Sequence, residues 1–466
     1  MNLSRWILGP GLLALALASG CSDDATTTDA GATDAGVTDA GSGDGGVASG
    51  PVAVAISAAG HDRLYAVTYD STGRIYAVGQ AADSTDATAD FRTVVVRFTA
   101  TGERDATFGE MGVASHNIAT GANGENARGL AVQSTGKVVA LATVEHPGAA
   151  DARDRDIALV RFNANGTLDR TFGTMGVVTL DLSDGAVNGT GYLADGAWGL
   201  AVYSDDRLLV TGAQVRAGGM DTDFAVVRLN ADGSRDTAFG TNGVTTVDIN
   251  NRSASPRTST ILPDGSSVTA GYMDDGGVVK PVLFKLTPAG QLDTTFAQGG
   301  IFAPQVLAAA TEAYGAALQG TSFVTAGYGR NAATESLDWL SLRVTAAGVL
   351  DTTYGAMGVA RIDLANFNDN ARAVLVLPGD RVMMVGGGRP TEMNVDGMIA
   401  VLTPNGQPDT SFGPQGYRTY DFGGASDFFW GAALSPSRDR VALVGVRGVG
   451  SNPGNDDAVI YVMPVP

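Results

Sequence analysis

Gly166-Thr167-Leu168-Asp169-Arg170-Thr171-Phe172-Gly173 contains one copy of a motif that recurs along most of this chain of 466 residues. The motif reads Asp-x-x-Phe-Gly, and its copies begin at Asp105, Asp169, Asp236, Asp293, Asp351 and Asp409. Successive copies are 64, 67, 57, 58 and 58 residues apart. A repeat of nearly constant length indicates an array of similar units or a propeller.

Each unit has the pattern of four short strands, as the second unit shows. Gly129 to Gln133, Val138 to Val144, Ile157 to Asn163 and Gly176 to Leu182 are β-prone runs separated by Gly- and Asn-containing turns. Alternating apolar and polar residues bounded by such turns favour strands over helices. Four antiparallel strands in one unit are typical of a propeller blade.

The two ends of the repeat region complement each other. Residues 51 to 57 look like a fourth strand without its first three, and residues 430 to 466 supply three strands without a fourth. Joined, they make one complete blade and remove the exposed sheet edges. We therefore predict an all-β fold, a seven-bladed β-propeller of four-stranded blades, with the last blade closed by the N-terminal strand. An open or differently stacked β array is the alternative.

The units resemble the delta-60 repeat family of exported bacterial proteins. The match rests on the stretch from Gly166 to Gly173, the following Gly176-Val177, and the upstream run from Asp156 to Phe162. Ala297 replaces Gly in the fourth copy of the motif and Tyr354 replaces Phe in the fifth, which are mild departures. The resemblance implies a propeller-like fold for residues 61–466. It implies no agreed activity, so it identifies no catalytic residue.

Residues 1–21 read as a lipoprotein signal peptide. Arg5 precedes an apolar run from Trp6 to Ala18 that is too short to span a bilayer permanently. Leu17-Ala18-Ser19-Gly20-Cys21 resembles the lipobox of bacterial lipoproteins, which implies lipidation of Cys21 and a membrane anchor. Ser22 resembles an outer-membrane sorting signal. We expect a lipid-anchored protein of the cell envelope, at the outer membrane; an ordinary signal peptide with an incidental cysteine is the alternative.

Residues 22–50 form a tether in the sequence, and residues 51–466 form a single propeller domain. The tether repeats Thr-Asp-Ala-Gly and contains six Asp and no basic residue, so we expect it to be disordered. The propeller region has 29 basic and 43 acidic residues, a net charge of −14, within a total of −19. Nucleic acid is therefore not an expected partner. Cys21 is the only cysteine, so the propeller contains no thiol chemistry.

The repeated motif is predicted to be structural. Asp readily accepts hydrogen bonds from backbone N–H groups in a turn, and Gly tolerates positive φ. The aromatic ring is suited to fill the gap between adjacent blades. Calcium ligation is a weaker interpretation, because the motif carboxylates belong to different blades.

A second repeated position precedes the first strand of every unit and is always Arg, Trp or Tyr. Its residues are Arg63, Arg128, Trp198, Arg257, Tyr314, Arg372 and Trp430. If the first strand is innermost, these side chains ring the mouth of a central channel. They either pair with neighbouring Asp or carbonyl groups as part of the repeat, or line a site for carboxylates, phosphates or sugar rings.

The loops between second and third strands contain two groups of carboxylates. These are Asp83, Asp86 and Asp90, and Asp151, Asp154 and Asp156. Weak calcium binding is one interpretation, and solvated loop carboxylates are the favoured one, because neither spacing matches a complete calcium loop. We expect no metal site and no cofactor.

Catalytic patterns are scarce in this sequence. The three histidines, His61, His116 and His146, fall in different strand contexts, and we find no phosphate loop or nucleophile elbow that we can defend. We predict a non-catalytic binding module on the cell envelope. We expect a monomer whose partners are the membrane, through Cys21, and an unknown protein, glycan or small anionic ligand. The alternatives are an envelope hydrolase or lyase acting on a polysaccharide or anionic polymer, and a structural surface lipoprotein.

Overall fold

The computed structural model describes residues 50–57, 60–86, 89–120, 125–146, 153–183, 192–215, 221–392, 394–423, 426–448 and 456–466. The predicted signal peptide, Cys21 and all but the last residue of the predicted tether lie outside these residues. The described residues form strands and turns, with one 3₁₀ turn at Pro378–Asp380. Across these ranges, no helix has the length and apolar character needed to span a bilayer.

The strands are short, as the frequent turns in the sequence require. Those of the first half are β1 (Val52–Val54), β2 (Asp62–Tyr69), β3 (Ile75–Ala81), β4 (Arg92–Phe98), β5 (Val113–His116), β6 (Glu125–Val132), β7 (Val138–His146), β8 (Arg153–Phe162), β9 (Val177–Leu180), β10 (Tyr192–Ala194), β11 (Gly196–Val202), β12 (Leu208–Val215), β13 (Thr222–Leu229) and β14 (Val244–Val247). Those of the second half are β15 (Ala254–Ile261), β16 (Ser267–Asp274), β17 (Val279–Leu286), β18 (Ile301–Phe302), β19 (Ala310–Gln319), β20 (Ser322–Arg330), β21 (Asp338–Val344), β22 (Val359–Ile362), β23 (Asn370–Val376), β24 (Val382–Thr391), β25 (Asn394–Leu402), β26 (Tyr417–Tyr420), β27 (Asp427–Leu434), β28 (Arg440–Gly448) and β29 (Asp456–Pro464).

Most sheets are antiparallel meanders of four consecutive strands. Strands β2 to β5, β11 to β14 and β23 to β26 each form one such sheet, and β6 to β9 form another with β10 added in parallel beside β8. Strands β15 to β22 form two meanders joined by a single parallel contact, Val279 with Ala310. The prediction of an all-β fold built from four-stranded units is confirmed.

The two ends of the described chain lie in one sheet. Strand β1 pairs antiparallel with β29, and the partners run from Val52 opposite Ile460 to Val54 opposite Ala458. The sheet order is β1, β29, β28, β27. This sheet therefore contains strands from both ends of the described chain.

The first strands of successive meanders contact one another. Strands β2, β6, β11, β15, β19, β23 and β27 contact in that order, and β27 also contacts β2. Each apolar core lies between two neighbouring sheets, as where Val54 and Ile460 pack with Ile75 and Val96. Second strands such as β3 and β12 are buried along their whole length, since sheets cover both of their faces.

The Asp-x-x-Phe-Gly motif clamps the turn between the third and fourth strands. Asp169 accepts hydrogen bonds from Thr171 N at 3.1 Å and from Arg161 Nε at 2.8 Å. The Arg161 guanidinium lies 4.4 Å from the centroid of the buried Phe172 ring. The same arrangement of Arg, Asp and ring recurs in Arg97/Asp105/Phe108, Arg228/Asp236/Phe239 and Arg343/Asp351/Tyr354. The structural interpretation of the motif is confirmed.

The clamp also joins neighbouring meanders. Gly109 N donates to Asn165 O of the next meander at 2.8 Å. Arg97 Nη1 donates to Ala164 O in the same turn, also at 2.8 Å. Gly166 has φ +87°, and a Cβ there would lie 2.3 Å from Gly109 N. Glycine is required at this position for both its conformation and the close approach of the two turns.

Candidate functional site

A β-bulge in the first strand of each meander creates the candidate site. We call these first strands, which contact one another from meander to meander, the innermost strands. In β6, Ala127 pairs with Ala142 and Gly129 pairs with Leu141, so Arg128 between them has no partner in the ladder. An extra residue of this kind bends the strand and redirects its side chain. The partner strand carries glycine opposite the bulge in several units; in β20, a Cβ at Gly327 would lie 1.9 Å from Glu312 O. The glycine thus allows the close approach of the bulged strand.

The bulges bring six of the seven predicted residues together as alternating guanidinium groups and aromatic rings. Within this set of six, each Arg contacts two of the three rings and each ring contacts two of the three Arg, so the contacts form a closed cycle. The distances from guanidinium carbon to ring centroid are 5.1 Å (Arg128 to Trp198), 4.1 Å (Arg257 to Trp198), 4.1 Å (Arg257 to Tyr314), 4.2 Å (Arg372 to Tyr314), 4.8 Å (Arg372 to Trp430) and 5.7 Å (Arg128 to Trp430). We call these six residues, with Tyr65, the central cluster. All seven come from innermost strands.

The seventh member is Tyr65, not Arg63. The bulge of β2 lies between Leu64 and Ala66, which makes Tyr65 the equivalent of Arg128. The Tyr65 ring lies 5.2 Å from both the Arg128 guanidinium and the Trp430 ring. Arg63 instead donates from Nε to Asp456 Oδ2 at 2.6 Å. Arg63, predicted as part of the rim, thus pairs with Asp456 and also interacts with the Tyr65 side chain. The sequence analysis chose a residue two positions before the one that occupies the bulge.

Burial is deep in the central cluster but not complete. Arg257 and Arg372 are 4 % and 8 % exposed, whereas Trp198 and Trp430 are partly exposed. Burial lowers the pKa of Arg128, and the charges of Arg372 and Arg257 lower it further. Burial opposes ionisation of Tyr314, but Arg257 and Arg372 outweigh it and lower the pKa of this phenol. The cluster is a strongly positive region inside an acidic domain.

A ring of carboxylates three residues before the central cluster was missed by the sequence analysis. Its members are Asp62, Glu125, Asp195, Asp369 and Asp427, which precede Tyr65, Arg128, Trp198, Arg372 and Trp430 respectively. These carboxylates accept backbone hydrogen bonds that fix the connection entering each meander. Asp62 accepts from Ile56 N at 2.7 Å, and Asp369 from Leu364 N at 2.8 Å. The constant spacing of three residues is the signal that could have found them.

Burial raises the pKa of four of these carboxylates, which we call the entry carboxylates together with Asp427. For Asp195 the pKa is about 6 and for Asp369 about 7, with desolvation outweighing the hydrogen bonds that the backbone donates. Burial also raises the pKa of Asp62 and Glu125. The backbone hydrogen bonds that these groups accept give them a structural role in the connections entering their meanders.

The loop carboxylates contact neighbouring side chains. Asp83 accepts from both terminal nitrogens of Arg92, at 2.8 and 3.0 Å, and Asp86 accepts from Ser84 Oγ at 2.8 Å. Asp151 lies outside the described residues. Asp156 is grouped with Asp181 and Asp195, whose oxygens lie within 4.8 Å of one another, rather than with its sequence neighbours. Weak calcium binding by these loops stays a prediction.

A protein-family model supports a β-propeller repeat family. The model is described as a domain of unknown function (DUF5122) beta-propeller, and it matches residues 148–172, 204–239 and 262–296. These matches cover part of the region that resembles delta-60 repeats, and they do not confirm that name. A search of curated proteins found no match.

The chain is also similar to solved propeller structures at low sequence identity. The β-propeller domain of the Trilobed protease from Pyrococcus furiosus is 9% identical, with a TM-score of 0.43, over 86% of this chain and 94% of that one. Sqt1 from Chaetomium thermophilum is 12% identical, with a TM-score of 0.45, over 88% and 98%. A polysaccharide lyase, an ulvan lyase bound to an oligosaccharide, is 9% identical, with a TM-score of 0.48, over 87% and 94%. Likeness at this level carries no argument about function.

Proposed function

We propose that this protein is a non-catalytic binding module of the cell envelope, and that its central cluster forms part of the ligand site. The observation that carries the proposal is the closed cycle of three Arg and three aromatic side chains contributed by six different innermost strands. Planar guanidinium groups suit carboxylates and phosphates, and aromatic faces suit sugar rings. A rigid scaffold that presents such groups together is suited to binding.

The proposal includes a closed seven-bladed ring formed by residues 51–466. Two observations support closure: β1 pairs with β29, and β27 contacts β2. The eight-stranded sheet then counts as two blades, because only one residue pair joins its two meanders. In this arrangement the innermost strands surround a central channel, and the side chains of the central cluster lie within it.

We further propose that Cys21 is lipidated and anchors the propeller to a membrane leaflet, with residues 22–50 as the tether. The support is the lipobox-like sequence before Cys21 and the acidic, Gly- and Ala-rich composition after it. A tether of this length has a root-mean-square reach of about 30 Å. This reach allows a monomeric propeller to meet ligands beyond the headgroup layer.

The test compares binding and turnover on one panel of ligands. Full-length protein is applied to arrayed peptides and neutral, carboxylated and sulfated oligosaccharides, and the Arg128→Ala/Arg372→Ala double variant is applied in parallel. We expect the double variant to lose at least tenfold in affinity while its thermal unfolding temperature changes little. Arg92→Ala is the matched control, because Arg92 pairs with Asp83 and contacts no member of the cluster among the described contacts.

Three outcomes contradict the proposal. Cleaved products from any oligosaccharide reject a non-catalytic role and support an envelope hydrolase or lyase. Unfolding of the double variant under conditions where Arg92→Ala stays folded assigns the central arginines to structure. Absence of binding to every class in the panel favours a structural surface lipoprotein.

A further inference from the structure

The three central guanidiniums share their surroundings. Arg128 and Arg257 both contact the Trp198 ring, Arg257 and Arg372 both contact Tyr314, and Arg128 and Arg372 both contact Trp430. Each pair of positive charges is thus separated by one aromatic ring. Aromatic faces attract cations, but they do not neutralise them.

Negative charge is deficient at this point of the described structure. Among the described residues, the three guanidiniums make one ion-pair contact, 3.9 Å from Arg257 Nη2 to Glu312 Oε2. This distance is too long for a hydrogen bond. Burial raises the pKa of Glu312, although Arg257 opposes the rise. Its Oε2 is buried and accepts no hydrogen bond from the described residues.

Two buried donors lack acceptors. Nε of Arg257 and Nε of Arg372 are both enclosed, and none of the described residues accepts a hydrogen bond from either atom. Both side chains are more than nine-tenths buried. Buried charged donors without partners are strongly unfavourable, so such groups normally bind a counter-ion or a ligand oxygen.

We propose that the central cluster binds one small oxyanion, a carboxylate or phosphate group, through Arg128, Arg257 and Arg372. The inference rests on the proposed binding function and names the ligand chemistry of that site. An anion with at least two oxygens can accept from more than one planar guanidinium at once, which a spherical ion cannot match. The partly exposed Trp198 and Trp430 give the anion a way in from solvent.

The experiment titrates full-length protein with defined anions. Sodium phosphate, sodium acetate and sodium chloride are added at equal ionic strength, and binding is followed by calorimetry and by thermal unfolding. We expect phosphate or acetate to bind with a dissociation constant at least tenfold below that of chloride and to raise the unfolding temperature. The stronger of the two oxyanions identifies whether phosphate or carboxylate chemistry is preferred.

Variants assign the binding to the cluster. Arg372→Met keeps much of the side-chain volume and removes the charge, and we expect it to weaken oxyanion binding at least tenfold. Arg372→Lys keeps the charge without the planar fork and should retain only part of the affinity. Arg92→Met is the control and should bind as the parent protein does, because Arg92 pairs with Asp83. Equal affinity for chloride and both oxyanions, or equal losses in Arg92→Met and Arg372→Met, overturns the proposal.

This result is separable from the test of the proposed function. Binding of a panel ligand without any oxyanion binding overturns the inference and leaves the binding module standing. Oxyanion binding without any panel ligand makes the anion a component of the fold and rejects the binding module. If Arg372→Met fails to fold without added anion, Arg128→Met replaces it in the titration, with the same expected loss.

Discussion

The same pairing of arginine with an aromatic ring occurs in two regions of this molecule with different surroundings. In the outer clamp, Arg161 lies over Phe172 and donates to Asp169. In the central cluster, Arg372 lies over Tyr314 and Trp430, and its Nε has no acceptor among the described residues. The local contact is similar, but of these two arginines only Arg161 forms an ion pair with a described residue.

The two regions differ in how their charges are balanced. Although burial works against it, hydrogen bonds from Lys137 and Thr171 and the charge of Arg161 hold the pKa of Asp169 well below its usual range. That carboxylate is an ionised partner at every physiological pH. Around Arg372, by contrast, the neighbouring charges are positive: Arg257 contacts the same Tyr314 ring and Arg128 the same Trp430 ring. Nε of Arg372 is a buried donor without an acceptor among the described residues.

The largest expected effect compares Arg161→Met with Arg372→Met. Removing Arg161 deprives Asp169 of a buried partner and should lower the free energy of unfolding by about 3 kcal/mol. Removing Arg372 relieves repulsion and should change it by less than about 1 kcal/mol in anion-free buffer. Urea unfolding of the two variants gives both values. Equal losses would show that the two regions contribute alike to stability.

A second comparison isolates the contact that the clamp makes between meanders. Gly166→Ala places a Cβ against Gly109 N, whereas a Cβ added at Gly379, which has φ +77°, would meet no atom within 4 Å. Both alanines should cost about 1 kcal/mol for the left-handed conformation, and Gly166→Ala about 2 kcal/mol more for the clash. The measurement is again urea unfolding. If the two variants are equally stable, the turn-to-turn contact contributes nothing.

The entry carboxylates predict how stability at the centre depends on pH. With a folded-state pKa of about 7, Asp369 holds a proton between pH 5 and 7 that the unfolded chain, with a pKa near 3.8, has already released. Stability from this group is therefore present at low pH and lost as pH rises through 7. In Asp369→Asn, the free energy of unfolding should fall by about 1–2 kcal/mol less between pH 5 and 7 than it does in the parent protein, as measured by urea unfolding at each pH.

Two features make the pH experiment specific. Burial lowers the pKa of His61 and of His116, so their contribution to the free energy of unfolding increases as the pH rises through the same window. Both histidines are present in the parent protein and in the variant, so their contribution cancels in the difference between the two. The exposed Asp275, whose pKa is lowered by its hydrogen bond from Lys280, titrates at lower pH. Asp275→Asn should leave the slope unchanged between pH 5 and 7, and an identical change in both variants contradicts the assignment.

The smallest effect concerns the one clamp that has tyrosine in place of phenylalanine. The Tyr354 hydroxyl lies 2.9 Å from Ser341 Oγ, and both side chains are buried. Tyr354→Phe leaves Ser341 without this partner and should lower stability by about 1 kcal/mol. The Tyr354→Phe/Ser341→Ala double variant should recover most of the loss. A double variant less stable than the single one shows that the pair is not an isolated hydrogen bond.

The strand pattern and its turns could be predicted from sequence because local signals define them. Runs such as Ile157 to Asn163 alternate, and turns such as Ser134-Thr135-Gly136-Lys137 punctuate them. The short parallel strand β10 could not be predicted, because its pairing with β8 depends on tertiary contacts. The same applies to the grouping of Asp156 with Asp181, which comes from another strand connection.

Most of the central cluster was predictable, since Arg, Trp or Tyr recurs at one position of the repeat. The sequence analysis chose Arg63 instead of Tyr65 at this position. The bulge adds one residue to the strand, and because Leu64 and Tyr65 both fit a strand, the apolar pattern does not show where that residue lies. The entry carboxylates were hidden because Ala254 and Thr311 stand at the equivalent position in two units. The charge deficit required three-dimensional contacts, since the sequence alone does not pair Arg257 with Glu312.

The pairing of β1 with β29 places the two ends of the described chain next to each other. In a variant that lacks residues 1–50, a short linker can join residue 51 to residue 466, because β1 and β29 lie side by side in one sheet. A new break can be made in an exposed turn, such as Gly276-Gly277 between β16 and β17. A circular permutant of this kind keeps the ladder between β1 and β29. In such a variant the order of the meanders along the sequence changes, while their order in space stays the same.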